Sequence, residues 1–206
     1  MTRLGVFGGS FDPPHRTHER VARAALDQLH LDAVLWIPAA HPPHKPDRTL
    51  TADPHRMAMI RGVIEDEPRF RLDTRELDRG GTSWTVQTLE SLTAEQPDAT
   101  LFLIVGSDNL AGFETWRDPD RIAELATLVV YDRPDTSASA LRRSNGRPAI
   151  HLDGIQSDIS STAIRQALQA AGAGEGTDTT VSGLLRTHLH PRTLSYIRAH
   201  GLYLPE

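Results

Sequence analysis

The sequence predicts an α/β fold: a doubly wound parallel sheet with flanking helices and a small C-terminal helical part. Short apolar runs alternate with stretches of helical spacing along the chain. Such alternation builds βαβ units, which need parallel strands. Polar loops also fall at the ends of several predicted strands, where parallel sheets bind their ligands. The 206 residues suit one domain spanning 1–206, with the helical part over about 160–206.

Each element has its own justification. Leu4-Gly5-Val6-Phe7 is an apolar run closed by Gly8-Gly9, a first strand and its turn. Val21, Ala24, Ala25 and Leu29 recur at helical spacing, so a helix begins near 15–17 and ends near 30. Ala33-Val34-Leu35-Trp36-Ile37-Pro38 is a buried strand stopped by proline. The loop 39–50 carries Pro42, Pro43 and Pro46 and cannot be regular. Thr51 is expected to cap a helix with Pro54 near its first turn and Met57, Ile60 and Ile64 on one face. Phe70-Arg71-Leu72 reads as a weaker strand and 83–95 as a helix. Leu101-Phe102-Leu103-Ile104-Val105 and Leu128-Val129-Val130-Tyr131 are strand-like runs. A polar surface connection over 135–148 precedes a last strand at Ala149-Ile150-His151-Leu152. Residues 160–171 and 191–200 read as helices, with a glycine-rich loop over 172–182 between them.

Composition narrows the classes of function. Hydrophobic residues make up 38%, and no run of about eighteen apolar residues occurs, so no membrane span is expected. Met1-Thr2-Arg3-Leu4-Gly5 lacks the blocks of a signal peptide, and a cytoplasmic location is expected. The lack of cysteine excludes disulfides, thiolate metal sites and a cysteine nucleophile. A net charge of -5 without a basic stripe argues against a nucleic-acid polymer as partner. Small molecules are the expected partners of a monomer or homo-oligomer.

The densest chemistry lies in Gly8-Gly9-Ser10-Phe11-Asp12-Pro13-Pro14-His15-Arg16-Thr17-His18. The two glycines let the backbone turn tightly and approach a ligand closely. The helix that follows offers unpaired N–H groups and a positive dipole end, which suit a phosphate. His15 and His18 are three residues apart and share one face of its first turn. Two imidazoles there can hold phosphate oxygens and stabilise charge building in a transition state. The plainer alternative is a strand–turn–helix junction with two surface histidines. A zinc reading fails, because Ala22 stands where a second histidine would be needed after His18-Glu19. Neither a P-loop nor a Gly-x-Gly-x-x-Gly fingerprint fits.

Other loops repeat the theme. Lys45 follows His44 in a proline-stiffened loop, either as a point charge for a phosphate or as a solvated loop lysine. Ser160, Ser161 and Thr162 open a helix, as caps and as hydroxyl donors, with Arg165 one turn in. Trp116 follows Phe113 by three, a spacing that suits either a core pair or a ligand platform. Residues 82–85 open a helix whose free N–H groups favour an anion.

Together these segments resemble bacterial nicotinate mononucleotide adenylyltransferases, members of the nucleotidyltransferase superfamily with a His-x-Gly-His motif. The opening Gly-Gly-Ser-Phe-Asp-Pro-x-His-x-x-His carries the likeness. Pro43-His44-Lys45, Thr82-Ser83-Trp84-Thr85-Val86-Gln87-Thr88-Leu89 and Val105-Gly106-Ser107-Asp108-Asn109-Leu110 with Phe113 and Trp116 follow in the family's order. Ile159-Ser160-Ser161-Thr162-Ala163-Ile164-Arg165 and Tyr196-Ile197 with Gly201-Leu202-Tyr203 complete it. Thr17 departs from the motif's glycine, Trp84 from a usual tyrosine and Gln87 from a common aspartate. The segment 172–190 is longer and glycine-richer than the family's pattern.

The resemblance implies a Rossmann-like fold and an enzyme that joins nicotinate mononucleotide to ATP, with Mg²⁺ as cofactor and no protein metal ligand. It assigns His15, His18, Lys45 and Arg165 to catalysis. Gly8, Gly9, Ser10 and Phe11 would form the strand-end wall for ATP, and Ser160, Ser161, Thr162 and Arg165 would hold its β- and γ-phosphates. Thr85 and Trp116 would hold the nicotinate ring and Asp108 the ribose, with His44 and Lys45 near the mononucleotide phosphate. The alternatives are an amide or phosphopantetheine acceptor within the superfamily, or a sensor that binds nucleotide without turnover, with Thr17 as its only support.

Overall fold

Leu4 and Val6 face one side of the sheet and Phe7 the other, and this alternation makes β1 (Arg3–Gly9) a central strand buried on both faces. The computed structural model describes residues 1–43, 49–133, 149–156, 159–172 and 179–205. Beside β1 run β2 (Ala33–Pro38), β3 (Phe70–Leu72), β4 (Thr100–Gly106), β5 (Ala126–Asp132) and β6 (Ala149–Gln156). The order is β3-β2-β1-β4-β5-β6 and every pairing is parallel. The chain moves outward from β1 on one side, then returns to β4 on the other, so the order reverses between β1 and β4. Doubly wound sheets open a ligand crevice at that reversal.

Helices cover both faces. α1 (Arg16–Gln28) and α2 (Asp53–Ile64) pack Val21, Ala22, Ala25, Leu26, Ile60 and Val63 against Phe7, Val34, Trp36, Phe102 and Ile104. On the other face α4 (Thr85–Glu95) and α6 (Pro119–Leu125) pack Val86, Leu89, Leu92 and Ile122 against Val6, Leu35, Leu103 and Leu128. Short α3 (Arg75–Arg79) and α5 (Ser107–Ala111) and a 3₁₀ turn at Phe113–Thr115 serve as connectors. α7 (Ser161–Gly172), α8 (Thr179–His188) and α9 (Pro191–Ala199) build a separate cluster from Ile164, Leu168, Leu185, Leu189, Leu194 and Ile197, closed on Met59 of α2. No helix among the described residues is long and apolar enough to cross a membrane.

The strands and helices α1, α2, α4, α7 and α9 fall where the sequence places them; α3, α5 and α6 have no counterpart among the expected elements, and further details differ. Gly8-Gly9 are the last residues of β1 and not its turn, because the left-handed residue is Phe11, at φ 47. α2 begins at Asp53 after Ala52 without a side-chain cap, and Thr51 instead offers its carbonyl to Arg56 Nε at 3.0 Å. Its buried face is Arg56, Met59, Ile60 and Val63, which shares only Ile60 with the expected stripe. Helix α4 starts at Thr85 and not at 83, since Ser83 is held by the neighbouring loop: its N–H donates to the His41 carbonyl at 2.9 Å. The expected loop over 172–182 gives way to α8 from Thr179 on. The 135–148 connection lies outside the described residues, while the strands on either side of it, β5 and β6, are described.

Candidate active site

The carboxyl ends of β1 and β4 open into a cavity of about 320 Å³ at the reversal of the sheet. Gly8 exposes bare backbone to it: a Cβ added there would meet nothing within 4 Å. Gly9 is closed from the side, because an added Cβ would lie 3.1 Å from the Phe11 ring. Phe11 itself is buried between Phe7 and Trp36, at ring-centroid distances of 5.6 and 5.2 Å. That packing holds its positive φ in place.

His15 is the N-cap of α1 and His18 lies in its first turn. Their rings are 3.7 Å apart, and the His15 N–H donates to His18 Nδ1 at 3.1 Å. Because Nδ1 accepts, a neutral His18 carries its proton on Nε2 and is a donor there. Burial, then the charges of His15 and Arg133, hold the His18 imidazole well below its usual range. Two imidazoles this close repel as cations, so a free site keeps at least one neutral until an anion arrives.

Opposite the histidines stands the N-terminus of α7. Ser160 caps it by accepting from the Ala163 N–H at 3.2 Å, and Ser160, Ser161 and Thr162 all line the cavity. Arg165, one turn along, does not line it. Its guanidinium donates to the Asp12 carbonyl at 2.7 Å and to Thr162 Oγ1 at 3.1 Å. Helix N-terminus, hydroxyls and imidazoles form a donor set for phosphate oxygens.

The far end of the cavity has another character. Thr85, the first residue of α4, and Trp116 both line it. Phe113 is 2% exposed and belongs to the core, while half-buried Trp116 packs on it at 5.4 Å and also faces the cavity. The two sequence readings therefore divide between the two aromatic residues. Trp84 and Arg117, the neighbours of Thr85 and Trp116, stack as a cation–π pair at 5.2 Å and brace the two walls. Ser83 Oγ accepts from the Ala40 N–H at 2.9 Å, which ties the segment after β2 to this end. Asp108 also lines the cavity, with Arg133 Nε 3.6 Å from its carboxylate.

The structure thus brings Gly8, Gly9, Ser10, Phe11, His15, His18, Thr85, Asp108, Trp116, Ser160, Ser161 and Thr162 to one cavity. His44 and Lys45 lie outside the described residues. Thr17 is buried at 3% exposure and is not part of the lining. Sequence reasoning missed Arg133, although a residue directly after a strand in a parallel sheet faces the crevice edge. It missed Glu76, a buried carboxyl that takes the Thr88 hydroxyl at 2.6 Å and whose pKa burial pushes up. It also missed Arg56, fully buried, whose Nη1 donates to the Ser10 carbonyl at 2.9 Å.

A parallel 3-2-1-4-5-6 sheet with a phosphate-donor crevice at its reversal and an aromatic wall beyond defines a nucleotidyltransferase of Rossmann-like type. Comparison with known proteins sharpens this. The model for cytidylyltransferase-like proteins matches residues 6–167. A probable nicotinate-nucleotide adenylyltransferase of Salinibacter ruber is 39% identical over 203 residues, with 98% of each chain covered. A protein of the same name from a Synechococcus strain is 37% identical over 207 residues, covering 98% of this chain and 95% of that one. The chain belongs to the cytidylyltransferase-like family and, within it, to the nicotinate-nucleotide adenylyltransferases. Its fold matches the Plasmodium falciparum nicotinic acid mononucleotide adenylyltransferase, solved with NaAD, at a TM-score of 0.80 and 21% identity over 98% of both chains.

Proposed function

We propose that the chain transfers the adenylyl group of ATP to nicotinate mononucleotide, giving nicotinate adenine dinucleotide (deamido-NAD) and pyrophosphate in NAD biosynthesis. One observation carries the reading: a single cavity joins the His15–His18 pair and the α7 N-terminus at one end to Thr85 and Trp116 at the other. Residues 1–206 are read as one nucleotidyltransferase domain, and a cytoplasmic setting accords with its cysteine-free composition.

A phosphate oxygen of the mononucleotide attacks the α-phosphorus of ATP, and the bond to the β-phosphate oxygen breaks as pyrophosphate leaves. That oxygen is already ionised near neutral pH, because a phosphate monoester has its second pKa near 6, so the step needs no general base. The protein's work is positioning and charge stabilisation. Gly8 and Gly9 bring bare backbone beside the nucleotide, with Ser10 and Phe11 completing that wall. His18 donates through Nε2 to an oxygen that gains charge as the phosphorus is attacked, and His15 supports it from 3.7 Å. Ser160, Ser161 and Thr162 hold the β- and γ-phosphates from the α7 N-terminus. Arg165 acts at the same end by swinging from Thr162 toward the triphosphate or by fixing the loop at Asp12. Asp108 binds ribose hydroxyls, Trp116 stacks on the pyridine ring, and Thr85 offers its N–H to the ring carboxylate. The resemblance assigns His44 and Lys45 to the mononucleotide phosphate.

Mg²⁺ is the proposed cofactor. The donors at the phosphate end suit oxygens of ATP. Carried by ATP, the ion would supply neutralisation of phosphate charge, while the hydroxyls and imidazoles of this end would hold the phosphate oxygens.

The test is pyrophosphate release with ATP and a panel of acceptors: nicotinate mononucleotide, its amide and phosphopantetheine. Turnover with the acid mononucleotide above the others is expected. ATP binding without pyrophosphate release from any acceptor would replace the enzyme with a sensor.

A further inference from the structure

Residues 10–15 join β1 to the histidines, and besides the packing of Phe11 between Phe7 and Trp36 they are fixed by hydrogen bonds. They are held from outside. The Ser10 carbonyl accepts from Arg56, the Asp12 carbonyl from Arg165 at 2.7 Å, and the Pro13 carbonyl from Ser161 Oγ at 3.0 Å. A further anchor is on a side chain. Asp12 is 2% exposed, and its carboxylate accepts the Tyr203 hydroxyl at 2.7 Å, across 191 residues of sequence. A carboxylate this buried requires strong donors.

Tyr203 reaches Asp12 through a turn built for it. Gly201 and Tyr203 both take the left-handed conformation, at φ 58 and 63. Glycine adopts it freely, but tyrosine does so against the usual preference. The Tyr203 ring packs with Leu202 against the α7–α9 cluster, and its hydroxyl reaches Asp12 and also the Thr51 side chain.

We propose that Tyr203 is a positioning residue of the active site: its hydroxyl fixes Asp12, and through residues 12–15 it sets the placement of His15 and His18 against the phosphates. Burial, and then the Asp12 carboxylate, push the phenol pKa up, so the group stays a donor over the whole working range of pH. Displacing a catalytic group by a fraction of an ångström lowers the rate steeply without weakening substrate binding to match. The proposal rests on the adenylyl-transfer reading for its kinetic consequence only.

The test compares two tyrosines that each lose one hydroxyl. Tyr203→Phe removes the hydroxyl that bonds Asp12 and Thr51 and keeps the ring. Tyr196→Phe, on α9, removes a 3.0 Å bond to His55 away from the loop and controls for loosening of the helical part. Tyr203→Phe should lower kcat about tenfold while both KM values stay within about twofold, and Tyr196→Phe should leave kcat within about twofold. Histidine side-chain NMR gives a readout free of turnover: Tyr203→Phe should move the His15 and His18 ring resonances, and Tyr196→Phe should not. Unmoved His15 and His18 resonances, an unchanged kcat in Tyr203→Phe, or equal losses in both variants would overturn the proposal. A wild type without turnover would overturn the adenylyl-transfer reading instead, and the resonances would still decide the role of Tyr203.

Discussion

Replacing His18 with alanine has two separable effects, and the geometry gives the size of each. The His15 N–H, which donates to His18 Nδ1 at 3.1 Å, loses its acceptor. A part-buried hydrogen bond of this kind contributes about 1 kcal/mol, which for a chain of this size lowers Tm by about 2–4 °C. The second effect is loss of the Nε2 donor where charge develops. Removing one such donor costs about 100- to 1000-fold in kcat, or about 2.7–4 kcal/mol. His18→Asn separates the two, because its side-chain oxygen can replace Nδ1 as acceptor while nothing reaches the Nε2 position. Asparagine should therefore restore Tm but not kcat. Steady-state pyrophosphate release at saturating ATP and nicotinate mononucleotide measures the rate, and calorimetry measures Tm. A His18→Ala enzyme with normal kcat and a raised KM for ATP would refute the reasoning, since the imidazole would then bind the ground state as strongly as the transition state.

Four further outcomes are expected. Nicotinate mononucleotide should be preferred over its amide by at least about tenfold in kcat/KM, about 1.4 kcal/mol, because the α4 N-terminus favours a carboxylate; equal values would sink this. Trp116→Ala should raise KM for the mononucleotide by the equivalent of about 1–3 kcal/mol with ATP little affected, whereas an unfolded variant would make its packing on Phe113 the main role. Thr17→Gly should change kcat/KM by less than about tenfold, and a silent wild type rescued by glycine would show that Thr17 blocks the site. His18 should stay neutral well below pH 6.5 in the free protein, and saturating ATP should raise its pKa, as NMR titration would show. A depressed histidine protonates first in the unfolded chain, so its share of stability is present above pH 6.5 and declines as pH falls. Wild type should then lose more Tm than His18→Asn between neutral and mildly acidic pH, and equal losses would contradict the shift.

Much of this architecture was legible because it is written in local periods. Parallel strands buried on both faces read as continuous apolar runs, as at 33–38 and 101–105, and the intervening helices show a spacing of three and four. The crevice followed from strand ends alone. The histidine pair was legible because residues three apart on a first turn must be neighbours. Trp116 was half legible: its spacing from Phe113 allowed both core and cavity, and the structure gives Phe113 the first role and Trp116 a share of both.

Arg56 and Tyr203 were not legible, and for the same physical reason. Each acts through long-range hydrogen bonds, Arg56 to Ser10 and Tyr203 to Asp12, and no periodicity encodes a partner 46 or 191 residues away. Arg56 even misled the expected register of α2, because a charged residue does not look like part of a buried face. Its guanidinium is tolerated there because the carbonyls of Ser10 and Thr51 and the carboxylate of Asp53 satisfy it. The same logic accounts for Thr17. Glycine is needed beside a phosphate only where a Cβ would intrude on the ligand, and Thr17 turns into the protein, buried and off the cavity lining. One residue along a helix rotates the side chain by about 100 degrees, which carries position 17 away from the face that His15 and His18 share. The departure that looked most threatening in the sequence therefore falls on the side of the helix that packs, and the phosphate end keeps its donors.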